Sequence, residues 1–284
     1  MVESQPRKTA RAEPFIKRVL VAVVLLPIGV AAIYSGGWVY TGLIALVLGT
    51  AAYEFSALFK ASGLRPSIYL APGATAAIVW ARAVYGFEEA AGILSLAILL
   101  ALAYHLVDYE RGRDRAATDF AASGAAILYI GWLGAYLVSL RNLPEGAWWV
   151  LTVLPSVWLA DSAAYMVGAR IGKHKLTKRL SPNKSWEGYL AGIVIAVPGT
   201  MLLALLWRAL GAGEIVTPLR GALLAGVLST LTILGDLGES MIKRQVGAKD
   251  SGRVLPGHGG VFDRIDSWLW AGVIGYYMIS LFFL

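Results

Sequence analysis

Runs of about 20 residues without a charged side chain recur along this chain, and they leave it few ways to fold. A helix needs about that length to cross the hydrocarbon core of a bilayer. Helices and closed barrels are the backbone forms that satisfy their own hydrogen bonds there. Charged residues make up 15% of the sequence, against about a quarter in a soluble domain. We therefore expect an all-α, polytopic integral membrane protein. The runs predict about nine transmembrane helices, over residues 17–35, 38–59, 68–86, 90–107, 119–139, 147–169, 189–210, 219–237 and 266–284. Pro27, Pro155 and Pro198 fall inside spans and should kink them, with neighbouring helices satisfying the freed carbonyls. Val19 to Ala32 is followed by no small-residue cleavage pattern, so no cleaved leader is expected.

Basic residues set the orientation. With nine spans, all Lys and Arg fall on one side except Arg82, Arg141, Arg208 and Arg220. The positive-inside rule then puts the N-terminus in the cytoplasm and the C-terminus on the opposite side. An eight- or ten-span chain would place a large basic cluster on the wrong face. The expected organisation is a disordered polar segment over residues 1–14 and N-terminal transmembrane helices over 15–150, with packing and homodimer contacts as their roles. A catalytic transmembrane region over 151–284 follows, its site at the cytoplasmic edge of the inner membrane. No cysteine is present, which excludes disulfides and thiolate metal sites. Topology accounts for the basic excess, and no nucleic-acid partner is expected.

Two polar regions interrupt the apolar pattern. In the first, Asp161 lies between apolar residues, where an unpaired carboxylate is costly, so it should face the bundle interior and meet a cation, a metal or a donor. Further on, Ser181, Pro182, Asn183, Lys184 and Ser185 precede Glu187, a pattern suited to a helix start. Free N–H groups there, beside Lys184 and the Ser185 hydroxyl, would seat an anion. Attraction of a basic loop to anionic lipid is an equally good account of that stretch taken alone. Gly168 to Lys173 is one residue short of a phosphate loop, and His174 replaces the hydroxyl such a loop needs.

The second region runs from Asp236 to Asp266. On a helix, Asp236, Glu239, Ser240 and Lys243 share one face. Asp263 and Asp266 share a face of the next. Carboxylates on two neighbouring helices can bind a divalent cation through oxygen and leave places for phosphate. Lys243, Arg244, Lys249 and Arg264 supply positive charge, and Gly257, Gly259 and Gly260 remove side-chain bulk around His258. No second histidine lies at zinc-ligand spacing, and no nucleophile motif is present.

Ser240, Lys243, Arg244, Lys249, Asp250, His258, Gly259, Gly260, Asp263, Arg264 and Asp266 together closely resemble the signature of the phosphatidate cytidylyltransferase (CDP-diacylglycerol synthase) family. The stretch from Asp161 through Ser181, Lys184, Ser185 and Gly188 is also similar to that family. The resemblance covers about residues 155–270. It implies transfer of CMP from CTP to phosphatidate, giving CDP-diacylglycerol and pyrophosphate. It also implies Mg2+, with K+ a candidate second cation, held by Asp236 and Asp263. Asp161 and Asp266 are further candidate ligands by the charge argument. By the same resemblance Asp263, Asp266, Lys249 and Arg264 are catalytic. Ser181, Lys184, Ser185, Ser240, Lys243, Arg244, Asp250, His258, Gly259 and Gly260 bind substrate. A lipid phosphate is largely ionised at neutral pH, so it needs no general base and can attack directly. Two other readings fit the same pattern: a CTP-dependent lipid kinase acting on a polyprenol-type alcohol, and an ion-coupled transporter.

Overall fold

The computed structural model describes residues 12–252, 254 and 259–284, with side chains from Val23 onward. Arg7, Lys8, Arg11, Arg253, Gly257 and His258 therefore lie outside the described residues, as does most of the 1–14 segment. Among the described residues, the helices in order are α1 Ala12–Ser35, α2 Gly37–Ala61, α3 Leu70–Val84, α4 Phe87–Glu110 and α5 Ala116–Ala125. A π-helical turn, Ala126–Trp132, leads into α6 Tyr136–Arg141. Then come α7 Gly146–Ile171, α8 Trp186–Ala209, α9 Pro218–Leu231, α10 Ile233–Gln245 and α11 Phe262–Phe282. The extended pairing described is one isolated bridge, between Lys175 and Ser185.

Each expected span corresponds to helix, and six segments are long and apolar enough to cross a membrane: Gly37–Ala61, Phe87–Glu110, Ala116–Arg141, Gly146–Ile171, Trp186–Ala209 and Pro218–Gln245. The other three expected spans do not reach that standard. α3 has 15 residues, about 22 Å of helix at 1.5 Å per residue, against about 30 Å of hydrocarbon. The described apolar part of α1, Val23–Ser35, is also short. α11 carries Asp263, Arg264 and Asp266 within its first five residues. α1, α7 and α8 run through Pro27, Pro155 and Pro198 as single helices.

The core lies where α2, α3, the π-helical turn, α6, α7 and α11 meet, with Leu48, Ile78, Ile130, Leu137, Trp149 and Leu269 fully buried. The four arginines that break the charge asymmetry each have a local partner. Arg141 donates to the Ile33 and Tyr34 carbonyls at the end of α1, at 2.5 and 3.1 Å, where cations suit the helix dipole. Arg208 pairs with Glu214, and Arg220 donates to the Ile215 carbonyl. Arg82 is 2% exposed. Its guanidinium lies 3.7 Å from the Phe87 ring centre and 4.2 Å from that of Trp132, and it donates to Ser139 Oγ. Aromatic faces thus hold this buried cation where no described carboxylate does.

Candidate active site

α7, α8, α10 and α11 enclose a cavity of about 850 Å3 onto which Asp161, Lys184, Ser185, Asp236, Asp263, Arg264 and Asp266 open. Its floor depends on how closely α10 and α11 approach. A Cβ on Gly235 would lie 2.5 Å from the Asp266 carbonyl oxygen and 2.9 Å from Trp270 Cδ1. Only glycine lets the two backbones meet at that level. Their meeting sets Asp236 and Glu239 of α10 beside Asp266 of α11.

Carboxylate oxygens of Asp236, Glu239 and Asp266 lie within 4.8 Å of one another, the one such group of three or more among the described residues. Glu239 and Asp266 are buried, at 3% and 8% exposure. Glu239 Oε1 has no hydrogen-bond partner, while Asp266 Oδ1 accepts from the Ser267 N–H at 2.7 Å. Three carboxylates this close repel one another, and the two buried ones, Glu239 and Asp266, also lose hydration, a cost of several kcal/mol per ion. A hard divalent cation with oxygen ligands relieves both penalties. The residues present therefore fit a metal ion, and the orphaned Glu239 oxygen is the feature that fits best.

Cations surround the trio. Lys184 forms an ion pair with Asp236 Oδ2. It is delivered by the loop between α7 and α8, which is tied across its base: Leu176 N–H donates to the Lys184 carbonyl and Trp186 N–H to that of His174, both at 2.9 Å. His174 Nδ1 lies 2.6 Å from Glu187 Oε1, and its N–H donates to the same carboxylate. Ser185 caps α8 by accepting from the Gly188 N–H at 3.2 Å, the expected role of a serine at a helix start. That helix begins at Trp186, after the Ser181–Pro182 pair. Ser181 stays in the loop, where its N–H donates to Thr177 Oγ1.

Asp263 stands on the first turn of α11, ahead of the expected span 266–284. Its Oδ1 accepts from Lys243 Nζ at 2.7 Å, and its Oδ2 from the Ser251 and Gly260 N–H groups at 2.9 and 2.8 Å. Burial pushes the Asp263 carboxyl up, but the hydrogen bonds from Lys243, Gly260 and Ser251 outweigh it. They hold it well below the ordinary carboxylate range. Lys243 also pairs with Glu239 at 3.1 Å, so one ammonium bridges the trio and Asp263.

The expected metal set was Asp236, Asp263 and Asp161, with Asp266 as a further candidate. Asp236 and Asp266 are in the trio, Asp263 is held by Lys243 and backbone donors, and Asp161 is exposed on the cavity wall. Ser240 Oγ donates to Asp236 Oδ1 at 3.4 Å. Gly259 has φ +83° and supports the turn leading to Gly260. Arg244, Lys249 and Asp250 are exposed and do not line the cavity. Among the expected substrate ligands, His258 lies outside the described residues.

Sequence reasoning left out one residue of the trio, Glu239, and two that hold α11 from the N-terminal half, Tyr129 and Glu54. Glu239 carried a signal, its i+3 spacing from Asp236. Tyr129 and Glu54 belong to the N-terminal helices and carried none. The π-helical turn presents Tyr129, whose hydroxyl accepts from Trp270 Nε1 at 3.2 Å, an irregularity common near functional sites. Glu54 of α2 accepts from the Phe262 N–H at 2.9 Å.

A family model described as the cytidylyltransferase family matches residues 16–282. The chain is 30% identical to the phosphatidate cytidylyltransferase of Mycobacterium leprae over 293 residues, covering 97% of this chain and 92% of the relative. It is 37% identical to that of Pseudomonas aeruginosa over 261 residues, covering 88% and 92%. It is 37% identical to that of Bacillus subtilis over 202 residues, covering 70% and 73%.

Proposed function

Because the chain belongs to the cytidylyltransferase family, we propose that it transfers CMP from CTP to phosphatidate by direct attack within the cavity of α7, α8, α10 and α11. A phosphate oxygen of the lipid bonds to the α-phosphorus of CTP. The bond from that phosphorus to the bridging oxygen breaks, and pyrophosphate leaves with its electron pair. No proton has to be removed from the nucleophile, in keeping with a site whose central side chains are carboxylates and lysines.

The observation that carries this reading is the alternation of charge in and beside one cavity, which Asp161, Lys184, Asp236, Asp263, Arg264 and Asp266 line. Lys184 pairs with Asp236, and Lys243 with Glu239 and Asp263, beside the unpartnered Glu239 oxygen. Two polyanions must be brought together, and fixed cations aimed at the phosphoryl oxygens lower the barrier to that encounter. Asp236, Glu239 and Asp266 would hold Mg2+, which when bound supplies charge neutralisation on the triphosphate. Asp263 would join them where a phosphate draws Lys243 away, and K+ is the candidate second cation. Lys184 and Lys243 orient the phosphates. Arg264 opens on the same cavity and stabilises the leaving pyrophosphate. Ser185, Ser240, Gly259 and Gly260 shape the seat, while exposed Arg244 and Lys249 attract the anionic substrates to it.

The same reading sets the chain in the inner membrane with nine spans, the N-terminus and the site cytoplasmic and the C-terminus opposite. Residues 15–150 pack and pair two copies, and 151–284 carry the chemistry. The basic asymmetry supports this orientation, as does the meeting of a water-borne nucleotide with a lipid headgroup at a membrane edge. The test is pyrophosphate release by the purified protein. Release that requires both CTP and phosphatidate supports the assignment. CDP formation with a prenol acceptor in its place contradicts it.

A further inference from the structure

Glu54 is a carboxylate 3% exposed in the middle of an apolar helix, and no described cation pairs with it. Such a group is costly unless strong donors face it. Its donors come from the other end of the chain. Oε2 accepts from the Phe262 N–H at 2.9 Å and from the Ser251 hydroxyl at 3.4 Å. α11 has no side-chain cap of its own, so Glu54 caps it from α2. A negative charge at that helix start is favourable.

The cap is also part of the scaffold of Asp263. Two carboxylates divide neighbouring donors: Glu54 takes the Phe262 N–H, and Asp263 takes those of Gly260 and Ser251. The Ser251 hydroxyl links them, donating to Glu54 and accepting from the Asp263 N–H at 3.3 Å. Two glycines leave room for this arrangement. A Cβ on Gly252 would collide with Glu54 Oε1, and one on Gly260 with Ser251 Oγ and, at 2.5 Å, with Glu54 Oε2. Gly260 therefore admits a carboxylate from α2, a role beyond leaving space for phosphate. The helices do not depend on Glu54 to stay together, because the buried rings of Phe55 and Phe262 pack 5.6 Å apart beside it.

We propose that Glu54 is a positioning residue for the cytidylyl transfer: through the Phe262 N–H and the Ser251 hydroxyl it sets where Asp263 stands against Lys243. This rests on the function proposed above. Outer hydrogen bonds of this kind cost about 10–100-fold in activity or metal affinity when removed.

The experiment compares full-length wild type, Glu54→Gln, Ser251→Ala and the double variant. Steady-state CMP transfer is measured, together with amide hydrogen exchange in the absence of nucleotide and metal. Glu54→Gln is expected to lower kcat about tenfold or more while KM for CTP stays within about threefold, the split of a misplaced transition-state contact. Exchange over residues 259–265 should quicken while that of α8 does not. The double variant should be no worse than the poorer single one, since both substitutions cut one chain of bonds. Wild-type kcat and exchange in Glu54→Gln would overturn the proposal, as would losses that multiply independently. If Glu54→Gln does not fold, Ser251→Ala decides: a several-fold fall in kcat with faster local exchange supports the proposal, and neither change overturns it. A wild type that transfers no CMP refutes the function rather than this inference, whose exchange result is read separately.

Discussion

Lys184, in the loop after α7, reaches across the cavity to the carboxylate of Asp236 on α10. Both are partly exposed, at 24% and 35%, so the pair alone adds little to stability. Its value lies in holding an ammonium where a phosphate is to arrive. Lys184→Ala should lower kcat/KM by about 100-fold or more, as loss of a donor to developing charge does. The melting temperature in detergent should barely move. Unchanged kinetics would return Lys184 to a topological role.

Glu239→Gln and Asp266→Asn should each raise the half-saturating Mg2+ concentration by about tenfold or more, because each removes one negative charge from the trio. Asp161→Asn should do less, since Asp161 stands on the exposed wall. A Mg2+ titration of the three variants ranks them. An Asp161 effect larger than that of Glu239 would move the metal toward α7.

Asp263→Asn keeps an oxygen for the Ser251 and Gly260 N–H groups but loses the charge that holds Lys243. Turnover should fall by about 1,000-fold in a protein that remains folded and membrane-inserted. Near-normal activity would remove Asp263 from the chemistry.

Arg82→Leu tests stability apart from function. It withdraws a cation from the faces of Phe87, Trp132 and Tyr136, desolvated contacts worth about 2 kcal/mol or more. Thermal unfolding in detergent should shift downward, while the kcat of the surviving protein stays close to wild type.

What was legible in the sequence follows from distance along the chain. The i, i+3, i+4 and i+7 spacing on α10 brings Ser240 to Asp236 and Lys243 to Glu239, and both pairs form. The charge-free runs read directly as helices, although α3 and the described part of α1 are too short to qualify as spans on length and composition. Partnerships across the chain were hidden. Glu54 meets Phe262 over 208 residues, and no local pattern marks an apolar helix's glutamate as the cap of another helix. His174 had no partner until the loop fold brought Glu187 to it. Arg244 and Lys249 belong to the same motif as Lys243, but Arg244 sits on the last turn of α10 and Lys249 past its end, both exposed and outside the cavity lining.

The most direct test of CMP transfer uses purified protein with phosphatidate, Mg2+ and CTP labelled at either the α- or the γ-phosphate. The α label should enter lipid, and the γ label should leave as pyrophosphate. Entry of the γ label into lipid, with the α label left on CDP, would contradict the account.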